Sequence, residues 1–396
     1  MLSNDYFLIN SLSLPQFDSI DELSELTGLS TRLLFCLSKK TDRYYKSKRI
    51  PKKDGGERII HIPSFTMRTV QKWILVNILN KILPSNQSMA FRKGAEFGNK
   101  QNAIHHMKTL YGLTIDIKDF FPSISEDKVH TIFSDLGYNA FSSTILTNLC
   151  TLNGILPQGS VCSPALSNLV CTTLDKRLNC LCEKNGILYT RYADDMYFSC
   201  DNKILLLRYE KIIRQIIEDE GFTINSKKVH YHTPSNKKII TGITVVQDSK
   251  NDKCELKAPK EFKRKIRAEI FQSIMTGNYD SKNHIIGEIS YVIYVERNNS
   301  FDYIKSIKNY INNTAPKIKF YPELVQQFNS NLFFDDIQQI TADSIDSYSE
   351  NDLELLMTLR RERIEYLKKI CSEDICHYEG WPEINNQLDT DIEMPF

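Results

Sequence analysis

Residues 113–122, Leu113-Thr114-Ile115-Asp116-Ile117-Lys118-Asp119-Phe120-Phe121-Pro122, read as a short apolar strand that ends in an aspartate and two phenylalanines. An aspartate there could simply cap a helix. Its counterpart is Tyr192-Ala193-Asp194-Asp195, two adjacent carboxylates between apolar and aromatic runs over 188–200, the pattern of a hairpin. Neighbouring carboxylates repel, so folding them together without a cation is unfavourable. A solvated acidic turn is the plainer alternative. If the two segments are adjacent strands, Asp116 meets Asp194 and Asp195. Three carboxylates in one place can hold two Mg²⁺ ions, the arrangement that serves in-line phosphoryl transfer.

Outward from this pair, the patterning predicts a mixture of helices and short strands. Residues 1–45 read as helical, with Ser19-Ile20-Asp21-Glu22 as a capping box and Leu23, Leu26, Leu29, Leu33 and Leu34 at helical spacing. A basic segment follows, with Lys39, Lys40, Arg43, Lys46, Lys48, Arg49, Lys52, Lys53 and Arg58, and its Lys53-Asp54-Gly55-Gly56-Glu57 turn predicts a hairpin. Helices are predicted over 64–83, 129–136, 163–181 and 204–219, a single strand over 239–246, and a basic helix over 257–275. No internal repeat is present.

Hydrophobic residues make up 41% and charged residues 25% of the 396, which fits a globular chain and excludes a collagenous or low-complexity one. The length allows two or three subdomains. The longest compact apolar run, Trp73–Leu79, is too short to cross a bilayer, and no secretory leader precedes the first helix. The expectation is a soluble, cytoplasmic protein with no membrane partner. Ten cysteines without paired CxxC spacing read as reduced thiols, and Cys371, Cys376 and His377 lack the partners of a zinc site. The net charge of +1 conceals an asymmetry: residues from 335 onward carry sixteen acidic and five basic side chains, a net of −11 that leaves +12 on the rest. A basic body with an acidic tail suits a protein that holds nucleic acid with one part and something else with the other, although a solvated acidic surface would look the same.

The segment around Asp116, Leu156-Pro157-Gln158-Gly159-Ser160-Val161-Cys162-Ser163-Pro164, and Tyr192-Ala193-Asp194-Asp195 together resemble three consecutive motifs of reverse transcriptases, in order and spacing. The resemblance spans roughly residues 45–295. It implies an α+β right-hand polymerase fold. Its parts would be an N-terminal helical region (1–45), fingers (46–110), a palm of antiparallel sheet plus helices (111–245), a helical thumb (246–315) and an acidic helical C-terminal extension (316–396).

The family's roles carry over by position. Asp116, Asp194 and Asp195 resemble the catalytic metal ligands for two Mg²⁺ ions. Phe121 resembles the steric gate that excludes a ribose 2′-hydroxyl; the alternative is core filler like Phe120. Gln158 and Gly159 resemble the loop against the incoming dNTP and template, Lys52 and Arg58 the finger residues that neutralise the triphosphate, and Lys228 the lysine near the leaving phosphate.

Two shorter patterns resemble the retron branch of the family. They are Asn102-Ala103-Ile104-His105-His106, which could equally hold a core histidine, and Ile240-Thr241-Gly242, where isoleucine replaces the usual valine. Gly287-Glu288-Ile289-Ser290-Tyr291 resembles the retron thumb. The implied substrate is a cognate structured non-coding RNA, copied from a guanosine 2′-hydroxyl into branched multicopy single-stranded DNA. Asn102, His106, Thr241, Gly242, Lys260, Lys263, Arg264 and Arg267 are the candidate RNA contacts, with a solvated basic helix as the alternative for the last four. Retrons are associated with antiphage defence, which implies an effector protein from the same operon, and the acidic tail is the candidate docking segment, with a structural cap on the thumb as the equal alternative. The alternatives are a defence-linked enzyme of the abortive-infection kind, a group II intron-like enzyme, or a scaffold that restrains a toxic effector without chemistry.

Overall fold

The structure is a computed structural model that describes residues 7–52, 55–248, 253–276, 281–296, 303, 305–307, 309 and 310. The expected C-terminal extension and the tail cysteines lie outside these residues.

Three helices open the chain: α1 (Phe7–Ser11), α2 (Ile20–Thr27) and α3 (Thr31–Lys39). Ser19 caps α2 through its hydroxyl on the Glu22 amide at 3.2 Å, while the Glu22 carboxylate reaches back to the Asp18 amide at 2.7 Å, one residue beyond the reciprocal pattern expected. The antiparallel hairpin of β1 (Tyr45–Pro51) and β2 (Glu57–Pro63) follows. Helix α4 spans Phe65–Asn77, capped by Ser64; it gives way to a 3₁₀ turn at Leu79–Lys81, so the expected 64–83 helix is shorter. Then come α5 (Asn99–His106), β3 (Tyr111–Asp116), α6 (Glu126–Asp135) and α7 (Ala140–Cys150).

The helix expected over 163–181 is two, α8 (Ser163–Val170) and α9 (Thr172–Lys184), because Cys171 at φ −79° and ψ 2° leaves the helical well between them. The hairpin β4 (Leu188–Tyr192) and β5 (Asp195–Cys200) precedes α10 (Lys203–Asp219) and the short strand β6 (His230–His232). These strands form a sheet in the order β4-β5-β3-β6. Strand β3 is central and buried along most of its length, which explains its near-continuous apolar run.

The single strand expected over 239–246 is instead a tight hairpin of β7 (Lys238–Ile240) and β8 (Ile243–Asp248). Thr241 at φ 45° and Gly242 at φ 80° form its two-residue turn, in the left-handed conformation such hairpins require. Strand β9 (Lys253–Lys257) completes this second sheet, which runs across the expected palm–thumb boundary at 245. The basic helix starts three residues later than expected, as α11 (Lys260–Thr276), and packs on α12 (Lys282–Val295).

The main core unites the first helices, α4 and the four-stranded sheet around Leu34, Leu37, Ile74, Ile115, Phe133, Leu146, Met196 and Phe198, all fully buried. Five buried cysteines (Cys150, Cys162, Cys171, Cys182 and Cys200) belong to it, and no pair among the described cysteines is bonded. A second cluster around Ile266, Ile270, Ile285 and Ile289 joins α11 to α12. A third, with Ala103, Tyr197, Ile240, Ile243 and Val295, ties the sheets to α5 and the end of α12.

Candidate active site

Antiparallel pairing of β3 with β5 places Asp116 directly opposite Asp195 at the end of the ladder. The next amide, on Ile117, donates to the Asp194 carbonyl at 3.0 Å and closes the strand end against the hairpin turn. Between β4 and β5 the turn is Ala193-Asp194, with Ala193 in the left-handed region at φ 58°, a conformation a non-glycine residue takes only when its surroundings impose it.

Arg191 supplies that constraint. Its guanidinium is fully buried and forms a bidentate pair with Asp175 on α9 at 2.8 Å through both contacts. The same fork donates to the Ala193 carbonyl at 3.2 Å and the Asn168 side chain at 3.3 Å. Burial works against its charge, but Cys171 and Asp175 raise its pKa above the ordinary arginine value. Sequence reasoning missed Arg191 and Asp175; a charged residue inside the apolar run before the acidic pair was the available signal.

The three carboxylates are held at close quarters. Asp116 is buried, and its carboxylate accepts from Lys228 Nζ at 3.0 Å and from Asn225 Nδ2 at 3.2 Å. Burial and then the field of Asp116 raise the pKa of Asp194; Lys228 and Arg58 pull it back. Burial, Asp194 and Asp116 push Asp195 up to about 7. Partial burial opposes the charge of Lys228, but the hydrogen bond to Asp116 and the fields of all three aspartates leave its pKa raised.

Phe121 is half-buried just past Asp116, its ring 5.4 Å from Phe120 and 6.2 Å from the half-exposed Phe91. Phe91, at φ 59°, was not anticipated. The Gln158 carbonyl accepts from the His61 amide at 2.8 Å, so the loop before α8 docks on β2. Gly159 allows the approach: at φ 120° a Cβ there would stand 2.5 Å from the His61 carbonyl oxygen. Lys52 reaches within 4.0 Å of Asp119, and the exposed Arg58 acts electrostatically on Asp194 from β2. Of the sequence-derived dNTP set, Lys228 touches the triad and Arg58 acts on it electrostatically, while Gln158 and Gly159 pack on β2 and Lys52 approaches Asp119.

The expected RNA contacts divide. Asn102 and His106 are buried, which corrects their assignment as direct contacts. His106 shares its ring nitrogens with Ser199 and Thr190 hydroxyls, each at 2.7 Å, and Thr190 also donates to Asn102. Burial, aided by Lys238 and His105, lowers the His106 pKa to about 3, so the ring is neutral. These residues bind α5 to the sheet. Thr241 donates to the Asn99 carbonyl at 3.1 Å, and Asn99 donates to the Tyr291 hydroxyl of α12 at 2.9 Å. A Cβ at Gly242 would meet nothing within 4 Å, so its turn is open to approach. On α11, Lys260, Arg264 and Arg267 are exposed, while Lys263 is paired with Glu296 at 2.6 Å.

Comparison with known proteins supplies the class. Residues 50–263 match the family described as reverse transcriptase (RNA-dependent DNA polymerase). The retron Ec86 reverse transcriptase of Escherichia coli is 33% identical over 292 residues, covering 73% of this chain and 88% of the relative. The retron Mx65 reverse transcriptase of Myxococcus xanthus is 29% identical over 302 residues, covering 70% and 69%. A telomerase structure from Candida albicans is similar over 75% of this chain and 59% of its own, at 10% identity and a TM-score of 0.40. The chain belongs to the reverse transcriptase family and, within it, to the retron type. Its activity is RNA-directed DNA polymerisation on an α+β polymerase fold, in a family that uses divalent metal ions. Among the described residues no helix is long and apolar enough to cross a membrane.

Proposed function

We propose that this enzyme copies a cognate structured non-coding RNA into branched multicopy single-stranded DNA, by nucleotidyl transfer at Asp116, Asp194 and Asp195, within an antiphage defence system. The observation that carries the site is the register of β3 against β5, which sets Asp116 opposite Asp195 beside Asp194. The donor set fits Mg²⁺: hard carboxylate oxygens whose repulsion, together with burial, raises the pKa of Asp194 and Asp195. When bound, two such ions supply activation of the attacking 3′-hydroxyl and charge neutralisation on the phosphates.

The chain's own residues then orient the reactants. The Phe121 ring lies under the sugar and leaves no room for a 2′-hydroxyl. Arg58 and Lys52 face the triphosphate from β2 and the hairpin tip, and Gln158 with Gly159 supports the base. Lys228 holds Asp116 in place and lends positive charge beside the leaving phosphate. The finger, palm and thumb roles are assigned to residues 46–110, 111–245 and 246–315, with the β7-β8-β9 sheet joining the last two, and Lys260, Arg264, Arg267 and the Gly242 turn are the RNA-facing groups. The acidic tail docks the effector protein.

Replacing both Asp194 and Asp195 by asparagine should abolish incorporation of labelled dNTP on a primed RNA template, and undiminished incorporation would end the assignment. Ribonuclease treatment of the copurifying nucleic acid should leave a discrete single-stranded DNA whose mobility changes on debranching.

A further inference from the structure

Glu269, His284 and Glu288 form a second constellation, at the α11–α12 seam. Their ligand atoms lie within 4.8 Å of one another. His284 and Glu288 stand one turn apart on α12, so both project from one face toward Glu269 on α11. The imidazole Nε2 is 3.4 Å from Glu288 Oε1 and 3.9 Å from Glu269 Oε2.

Two oxygens of this group are stranded. Glu288 is 8% exposed, and neither its Oε2 nor the buried Oε2 of Glu269 has a hydrogen-bond partner. A buried carboxylate oxygen without a partner is costly, because it has lost its water and gained nothing in return. Among the described residues Lys265 is the one lysine or arginine that answers the two carboxylates, at 2.6 Å from Glu288 Oε1 and 3.2 Å from Glu269 Oε1, and it is half-exposed on a flexible stem. Two carboxylates thus share this one ammonium.

We infer that Glu269, His284 and Glu288 bind a divalent transition cation that clips α11 to α12. One imidazole with two carboxylates is a borderline donor set, which suits Zn²⁺ better than Mg²⁺ or Ca²⁺. Lys265 occupies the place of the cation and swings to solvent when the ion enters. The site does not depend on the polymerase assignment: none of its members belongs to the aspartate triad, and its readout is metal uptake.

The test is Zn²⁺ titration of the full-length protein against a chromophoric chelator, in excess Mg²⁺ to occupy the carboxylates of the other site. Wild-type protein should take up one Zn²⁺ more than His284→Ala, or bind it at least about tenfold more tightly, since even supporting residues of metal sites change affinity by that factor. His284 is exposed, so this variant should fold. Lys265→Met should bind Zn²⁺ more tightly than wild type, because the competing ammonium is gone. Zn²⁺ should raise the melting temperature of wild type and not that of His284→Ala. Equal uptake by wild type and His284→Ala overturns the site and leaves an ion-pair network only, as does weaker uptake by Lys265→Met.

Discussion

At the scale of single residues, the two sequence-derived site positions that make the sharpest demands are Phe121 and Gly159. Phe121 is wedged against Phe120 on one side and touches Phe91 on the other, so its ring is fixed in place. Replacing it with alanine should lower discrimination against ribonucleotides by about 10–200-fold, the scale on which a pocket rejects an added group. The measurement is the ratio of kcat/KM for dNTP over NTP, and an unchanged ratio would make the ring core filler. Gly159→Ala forces a Cβ to within 2.5 Å of the His61 carbonyl, at a φ of 120° that side chains avoid. It should cost about 1–3 kcal/mol of stability and raise the KM for dNTP as the loop separates from β2. Arg191→Met should destabilise by about 3–5 kcal/mol, since it strands Asp175 in the core, whereas a double change to apolar residues should recover most of that loss in denaturant titrations.

At the scale of elements, the interface between α5 and the sheet carries a pH signature. His106 has a folded-state pKa of about 3, depressed by burial from the ordinary 6.5. Its contribution is intact above the unfolded pKa and is lost as pH falls from about 6.5 toward 3, because only the unfolded chain accepts the proton. On its own, His106 should lower the unfolding free energy by up to about 1.4 kcal/mol per pH unit across that window. Asp195, pushed up to about 7, acts with the opposite sign in the same range, so the His106 contribution is read as the pH-dependent difference in unfolding free energy between wild type and His106→Asn from pH 6.5 to 5.5. Strand β3 and the acidic hairpin were legible in the sequence because both signals are local: an apolar run ending in aspartate, and two runs about an acidic pair. The β7–β8 hairpin was not, since its turn falls on Thr241-Gly242 inside a continuous β-branched stretch and relies on a threonine at positive φ. The break between α8 and α9 was hidden for a similar reason, as Cys171 is no helix breaker by composition. Burial of His106 was one of two equal readings of its motif, and the sequence did not decide between them because its partners, Thr190 and Ser199, arrive from distant strands; Asn102 is buried with it through Thr190.

For the whole molecule, the charge division of +12 against −11 is a property that local motifs do not reveal. Deleting residues 335–396 should leave primed DNA synthesis in place and abolish defence against phage, if the tail docks the effector. Defence and synthesis both unchanged would remove that role. The two segments that meet at the triad are far apart in the chain, and strand patterning together with motif order pointed to their convergence; the supporting Arg191–Asp175 pair emerged from the assembled core alone. That core also holds five cysteines shielded from solvent, with burial raising the thiol pKa of Cys171 to about 11 and of Cys182 to about 12, while Cys180 lies exposed. Thiolate is the form that alkylating reagents attack. The palm therefore carries its own clock: under pulsed alkylation the shielded sulfurs react only when the core opens, and the mass gained per pulse times global unfolding without any engineered label.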